Sequence, residues 1–165
     1  RVIAHDIYAD KKYAQENGIE LVSLDELYAQ SDIITLHCPL TEENRHLINS
    51  ESISKMKKGV MFINISRGGL VDTQALIDGL KSKIISSVGL DVYEEEENYF
   101  YEDFTDSILG DDTLLELLAL PNVLVTSHQA YFTVEALEAI ANTTLQNASD
   151  FALGKELKNK VIKKR

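Results

Sequence analysis

The sequence predicts an α/β chain, a parallel sheet covered by helices on both faces. Three observations carry that expectation. Short apolar, β-branched runs alternate with helix-like segments at short intervals, the pattern of strand–helix–strand units. The central run, Val60-Met61-Phe62-Ile63-Asn64-Ile65, is continuous instead of alternating, as suits a strand buried on both faces of a parallel sheet. That run stops at a polar tip, Ser66-Arg67-Gly68-Gly69, with a single cation and glycines that let the backbone turn tightly. Ligands of such sheets bind outside the carboxyl ends of the strands.

Val2-Ile3-Ala4-His5-Asp6 reads as a short strand ending in an acid. Residues 10–17 are helix-like, and Gly18 is placed to stop them. Residues 19–22 form a second strand. Ser23-Leu24-Asp25-Glu26 then has the S-x-x-E form of a capping box and opens a helix through Ala29. Asp32-Ile33-Ile34-Thr35-Leu36 is another buried-type strand, closed by His37-Cys38-Pro39. A helix over 51–57 leads, after Gly59, into the central strand. Residues 72–81 are helical and 85–92 form the next strand. An acidic, tyrosine-rich excursion over 94–110 breaks the rhythm. Residues 114–120 are helical, 122–126 a strand and 133–153 one long helix, with a basic tail from Lys155.

The 165 residues are enough to bury a substantial core. No apolar run approaches the roughly 20 residues that span a bilayer. The chain opens mid-pattern on Arg1-Val2-Ile3-Ala4 with neither an initiator Met nor a signal peptide, which reads as a cut. A net charge of −11 argues against nucleic acid or an anionic membrane surface as partner. Lys and Arg are absent between Lys83 and Lys155, so a cation at the centre of a site stands out. The single cysteine, Cys38, excludes an intrachain disulfide and suits a reducing cytosol, so a cytoplasmic location is expected.

Nothing among the four histidines has zinc-ligand spacing, so no metal is expected. Cys38, at a strand end, reads better as a buried side chain than as a nucleophile. His128 follows the strand Val123-Leu124-Val125-Thr126 and so lies on the same rim as Arg67. The run after Gly89-Leu90-Asp91-Val92-Tyr93 brings carboxylates to that rim. If the three strand ends converge, an arginine fork grips a substrate carboxylate, an imidazole gives a proton to a carbonyl oxygen as it becomes an alkoxide, and a neighbouring carboxylate favours the protonated imidazole. The bland alternatives are an arginine that caps its strand and glutamates 94–97 as solvated surface charge. Asp6, an acid ending the first strand, can bind a ribose hydroxyl of NAD and would repel the extra phosphate of NADP. Asp is also a common turn residue, and the glycine fingerprint that normally precedes such an acid would lie before Arg1.

Three segments resemble the D-isomer-specific 2-hydroxyacid dehydrogenases: Ser-Asp-Ile-Ile-Thr-Leu-His-Cys-Pro-Leu-Thr from Ser31, Asn-Ile-Ser-Arg-Gly-Gly-Leu-Val-Asp from Asn64, and Gly-Leu-Asp-Val-Tyr-Glu from Gly89. The resemblance runs in order over residues 2–153. Ser127-His128-Gln129-Ala130-Tyr131-Phe132-Thr133, with the aromatic stretch 98–104, is most similar to the fermentative D-lactate dehydrogenases. Phosphoglycerate dehydrogenases typically carry a glycine-rich segment after that histidine instead.

The resemblance implies a Rossmann-like, doubly wound parallel sheet, incomplete here because the first strand and its glycine-rich loop are missing. It implies a partial NAD-binding domain over 1–133 and a carboxyl-terminal helix and tail over 134–165 that return to the substrate domain. Arg67, Glu96 and His128 would be the catalytic set. Arg67 would bind the 2-keto acid's carboxylate and polarise its carbonyl, His128 would be the acid/base, and Glu96 its partner carboxylate; residue types alone do not choose among the four consecutive glutamates. Asp6 would hold the adenosine ribose. Cys38, Pro39 and Asn44 would line the cofactor cleft, Ile65, Ser66, Arg67 and Asp91 would flank the nicotinamide, and Tyr131 would lie near the substrate side chain. The implied reaction is reduction of pyruvate to D-lactate by hydride transfer from NADH, in a homodimer. Bulkier 2-keto acids are the alternative substrates, and an NAD-sensing module of the corepressor type is the rival from another class. With an unpaired internal sheet edge and no phosphate loop, the 165 residues alone are expected to be inactive.

Overall fold

A computed structural model describes residues 1–99 and 110–161, the side chains at 97 and 98 excepted. Most of the excursion expected over 94–110 and the end of the basic tail fall on residues 100–109 and 162–165 and lie outside the described residues. The chain divides into two compact units, Arg1–His128 and Gln129–Arg165.

In the first unit every strand pairs in parallel. Strands β1 (Val2–Ala4) and β2 (Ile19–Leu21) form one pair, with helix α1 (Lys11–Glu16) between them in sequence. A second sheet has the order β3 (Ile33–Leu36), β4 (Val60–Asn64), β5 (Ile85–Leu90) and β6 (Val123–Val125). Each strand joins the next through helical connections: α2 (Leu24–Gln30), α3 (Ser50–Ser54), α4 (Thr73–Lys81), then α5 (Glu96–Tyr99) and α6 (Asp112–Ala119). Parallel pairing requires such crossovers, because a parallel neighbour cannot be reached by a tight turn. Local chemistry sets the helix starts. Ser23 and Glu26 form the expected capping box at α2. Asp10 accepts from Lys12 and Tyr13 N–H at α1, and Asp72 from Ala75 N–H at α4.

The core lies on one face of the four-stranded sheet. Paired positions Ile34, Phe62, Val88 and Val123 share that face, and so do Leu36, Asn64, Leu90 and Val125 one step on. Leu70, Leu76, Ile77 and Leu117 pack with them and are fully buried. The central strand departs from the expectation of burial on both faces. Val60 and Phe62 are buried, while Met61 is 39% exposed, and Ile33 and Leu124 on the same face are exposed as well. A continuous apolar run shows that a strand can be covered twice; it does not supply the cover.

The two sheets are separate, so among the described residues β1 and β3 each keep one unpaired side. No helix of the described residues is long and apolar enough to cross a membrane. The second unit is built on helix α7 (Val134–Ala152), capped by the Thr133 hydroxyl, which accepts from Ala136 N–H.

Candidate active site

Strands β4, β5 and β6 lie side by side and point the same way, so their exits share one rim. Neighbouring strands are about 4.8 Å apart, which brings the backbone after β4 and the backbone after β6 to roughly 10 Å. Arg67 leaves β4, Asp91 leaves β5, and His128 follows β6.

The β4 exit is built by Asn64. Its buried side chain accepts from Ser66 N–H (3.0 Å) and donates to the Arg67 carbonyl (2.9 Å), folding the chain so that Arg67 faces outward. One guanidinium nitrogen donates to the Ser66 carbonyl at 2.7 Å, and the rest of the exposed fork has no partner among the described residues. Gly68 and Gly69 lie in a 3₁₀ turn, Gly68–Leu70. Neither has positive φ, so the turn does not need glycine for its dihedrals. The need at Gly68 is steric. A Cβ there would sit 2.0 Å from the Tyr93 carbonyl oxygen, so only glycine lets the β4 exit lie against the β5 exit.

Beyond β5, Asp91 is buried and its Oδ1 accepts from the Thr126 hydroxyl at 2.5 Å. Its carbonyl accepts the His128 N–H at 2.7 Å. His128 has φ 52, in the left-handed region, uncommon for a residue other than glycine. The imidazole is held as well. Glu96 Oε1 lies 3.1 Å from Nδ1, while Oε2 accepts the Tyr93 N–H at 3.1 Å. Only 14% of the Glu96 side chain is exposed, against 33% for His128. A carboxylate at Nδ1 keeps a proton on that nitrogen and presents Nε2 as the exchanging position. Glu96, one of four consecutive glutamates, thus has its carboxylate beside the His128 ring. Tyr93 is anchored in turn, its hydroxyl donating to Asp111 at 2.7 Å. Burial first, then that hydrogen bond, push the phenol well above its usual range.

Asp6 lies in the turn after β1, exposed, with Oδ1 accepting the Tyr8 N–H at 2.7 Å. Cys38 is half-buried after β3, and its carbonyl accepts from the Ser66 hydroxyl at 2.5 Å, tying the β3 and β4 exits together. Burial pushes the Cys38 thiol up, which keeps it protonated and argues against a nucleophile. Asn44 shapes its own loop, donating to the Pro39 carbonyl (2.7 Å) and accepting from Thr41 N–H (2.7 Å). Ile65 is 48% exposed at the rim. Tyr131 belongs to the second unit, where its ring meets Phe132 edge-on at 6.3 Å. Nothing in the sequence marks Asn64 and Tyr93 as parts of the site, beyond the polar Asn that ends an apolar strand.

Residues 1–130 match the family described as D-isomer specific 2-hydroxyacid dehydrogenase, NAD binding domain. The chain belongs to that family. It is 47% identical to the D-lactate dehydrogenase of Escherichia coli over 162 residues, covering 98% of this chain and 49% of the relative. Among solved structures, the pyruvate reductase of Chlamydomonas reinhardtii is 51% identical with a TM-score of 0.88, over 96% of this chain and 48% of that one. The D-lactate dehydrogenase with NAD+ from Lactobacillus jensenii is 31% identical with a TM-score of 0.87, over 99% of this chain and 48% of that one. The chain therefore spans about half the length of the relatives it matches. As an NAD-binding domain of this family it takes NAD as cofactor. The donor set fits that group. An exposed carboxylate after β1, with one oxygen engaged, suits a ribose diol, and the Ser66 hydroxyl ties the β4 exit to the β3 exit.

Proposed function

We propose that the full-length gene product is a D-lactate dehydrogenase that reduces pyruvate to D-lactate with NADH. The observation that carries the reading is the Glu96–His128 pair, held at one strand exit on the rim that also presents Arg67. NADH supplies the hydride when bound. Arg67 holds the substrate carboxylate with two parallel hydrogen bonds and polarises the adjacent carbonyl. His128 gives its proton to the carbonyl oxygen as that oxygen gains charge, and Glu96 holds and aims the imidazole through Nδ1. Asp6 takes the adenosine ribose, Cys38, Pro39 and Asn44 line the cleft, and Ile65, Ser66 and Asp91 flank the nicotinamide. Tyr131 faces the substrate side chain. Residues 1–133 act as the nucleotide domain, and 134–165 as a helix and tail that return to the substrate domain. The enzyme works in the cytoplasm as a homodimer, with a small 2-keto acid as its partner and neither nucleic acid nor membrane.

The test is NADH oxidation by the full-length gene product across 2-keto acids of increasing side-chain size. The expected order has pyruvate first by kcat/KM. Preference for branched or aromatic 2-keto acids would replace pyruvate with a bulkier substrate. Tight NADH binding with no turnover of any 2-keto acid would favour a cofactor-sensing module instead.

A further inference from the structure

Glu94 is two residues before Glu96, faces a different part of the molecule and has no role in the chemistry proposed above. Its side chain is 17% exposed. Oε1 lies 2.5 Å from His46 Nε2 and accepts from Arg45 Nη2 at 3.3 Å, while Oε2 accepts from the Thr73 hydroxyl at 3.3 Å. One carboxylate thus ties the loop before α3 and the first turn of α4 to the exit of β5. The loop it grips lies along the Arg67 turn. His46 N–H donates to the Gly69 carbonyl at 2.9 Å, and Ile48 N–H to the Leu70 carbonyl at 3.0 Å. Gly69 lies against the same loop: a Cβ there would press on the side-chain ends of Leu40 at 2.9 Å and Arg45 at 3.3 Å, which would have to shift. On the other side, the Tyr93 carbonyl presses on Gly68. The Arg67 turn is therefore clamped between residues 45–46 and 93–94, and Glu94 closes the clamp.

His46 is left-handed like His128, with φ 52. Its carbonyl is also engaged, accepting from the Asn49 side chain at 2.9 Å. A left-handed residue pinned by its N–H, its carbonyl and its ring has a fixed direction. The same short segment does two things: Glu94 fixes the turn that carries Arg67, and Glu96 fixes the ring of His128. We infer that Glu94, through His46, is a positioning residue that sets the spacing between the carboxylate-binding arginine and the proton-donating histidine. The inference rests on the reduction proposed above, because it assigns Glu94 to the geometry of that reaction. A shift of about 1 Å between reacting groups costs on the order of a hundred-fold in rate.

The test compares Glu94→Ala, Glu94→Gln and His46→Asn in the full-length gene product, with pyruvate and NADH varied separately. Gln keeps one acceptor oxygen for His46 and Arg45 and turns the other position into a donor that the Thr73 hydroxyl oxygen can accept, and Asn tolerates the left-handed backbone while shortening the reach to Glu94. The expected result is a fall of about a hundred-fold in kcat/KM for pyruvate in Glu94→Ala, with the larger share in KM. NADH affinity, read by fluorescence, stays within about two-fold, Glu94→Gln recovers most of the loss and His46→Asn falls between. Should Glu94→Ala fail to fold, the pyruvate-against-NADH split in His46→Asn decides the question. Retention of wild-type kcat/KM in an active enzyme overturns the inference. So does a parallel loss of pyruvate turnover, NADH affinity and Tm that Gln does not rescue, which marks a purely structural residue. A wild type that turns over no 2-keto acid removes the proposed function, and the inference falls with it.

Discussion

The rim of β4 to β6 and the turn after β1 both offer charged side chains at strand ends, yet they are held in different ways. Around Arg67 and His128 the local bonds of Asn64 are joined by supports from distant parts of the chain: Tyr93 against Gly68, Asp91 under His128, Glu94 on His46 and Thr73. At Asp6 the described support is local, a hydrogen bond from Tyr8 two residues on. The difference follows the chemistry proposed for each. Proton transfer and carboxylate binding need fixed distances between groups from different strands, and only long-range bonds fix those. Holding a ribose hydroxyl needs one accessible acceptor, which a local turn supplies.

This contrast is most severely tested at Gly68. Gly68→Ala places a methyl where the Tyr93 carbonyl now lies, so the β4 and β5 exits must separate. We expect kcat/KM for the 2-keto acid to fall by about a hundred-fold or more, with a stability loss of about 1–3 kcal/mol by urea unfolding. Unchanged kinetics in a folded protein would show that the close approach is incidental.

Asp6→Asn probes the other region and predicts a smaller effect confined to the cofactor. Exchanging a charged acceptor for a neutral one is expected to weaken NADH binding about ten-fold. An exposed residue held by a local turn leaves stability within about 0.5 kcal/mol. A large drop in Tm would mean that the β1 turn is structurally coupled after all.

The smallest effect reports on the link between the regions. Burial is the main cause that pushes the Cys38 thiol up, and the negative charge of Asp6 adds to it. Iodoacetamide is therefore expected to alkylate Cys38 slowly at neutral pH and faster as pH rises. Asp6→Asn removes a charge that opposes the thiolate, so its thiol ionises at lower pH and reacts modestly faster. Equal rates across the pH series would show that Asp6 does not act on Cys38.

Much of this arrangement is legible in the amino-acid sequence. Arg67, His128 and Asp6 can be placed at strand ends because strand–helix alternation fixes where parallel strands stop, and the capping box at Ser23 announces α2. What is illegible depends on contacts between segments far apart in the chain. Nothing in four successive glutamates says that Glu94 meets His46 and Glu96 meets His128. The glycines after Arg67 read as aids to turning, whereas Gly68 is required by a neighbour from the next strand. The continuous run of β4 suggests cover on both faces, but Met61 is exposed, because apolarity records suitability for burial and not the presence of a partner. Helix α5 lies inside a stretch that reads only as an acidic interruption.

The central claim is that His128, aimed by Glu96, gives the proton in a reduction organised on this rim. The most direct measurement is NADH oxidation with pyruvate by the full-length gene product, wild type against His128→Gln, with NADH binding followed in parallel by fluorescence. We expect kcat to fall by roughly 10²–10⁴-fold in the variant while NADH affinity is retained. A variant that keeps wild-type turnover would contradict the assignment of His128 as the proton donor.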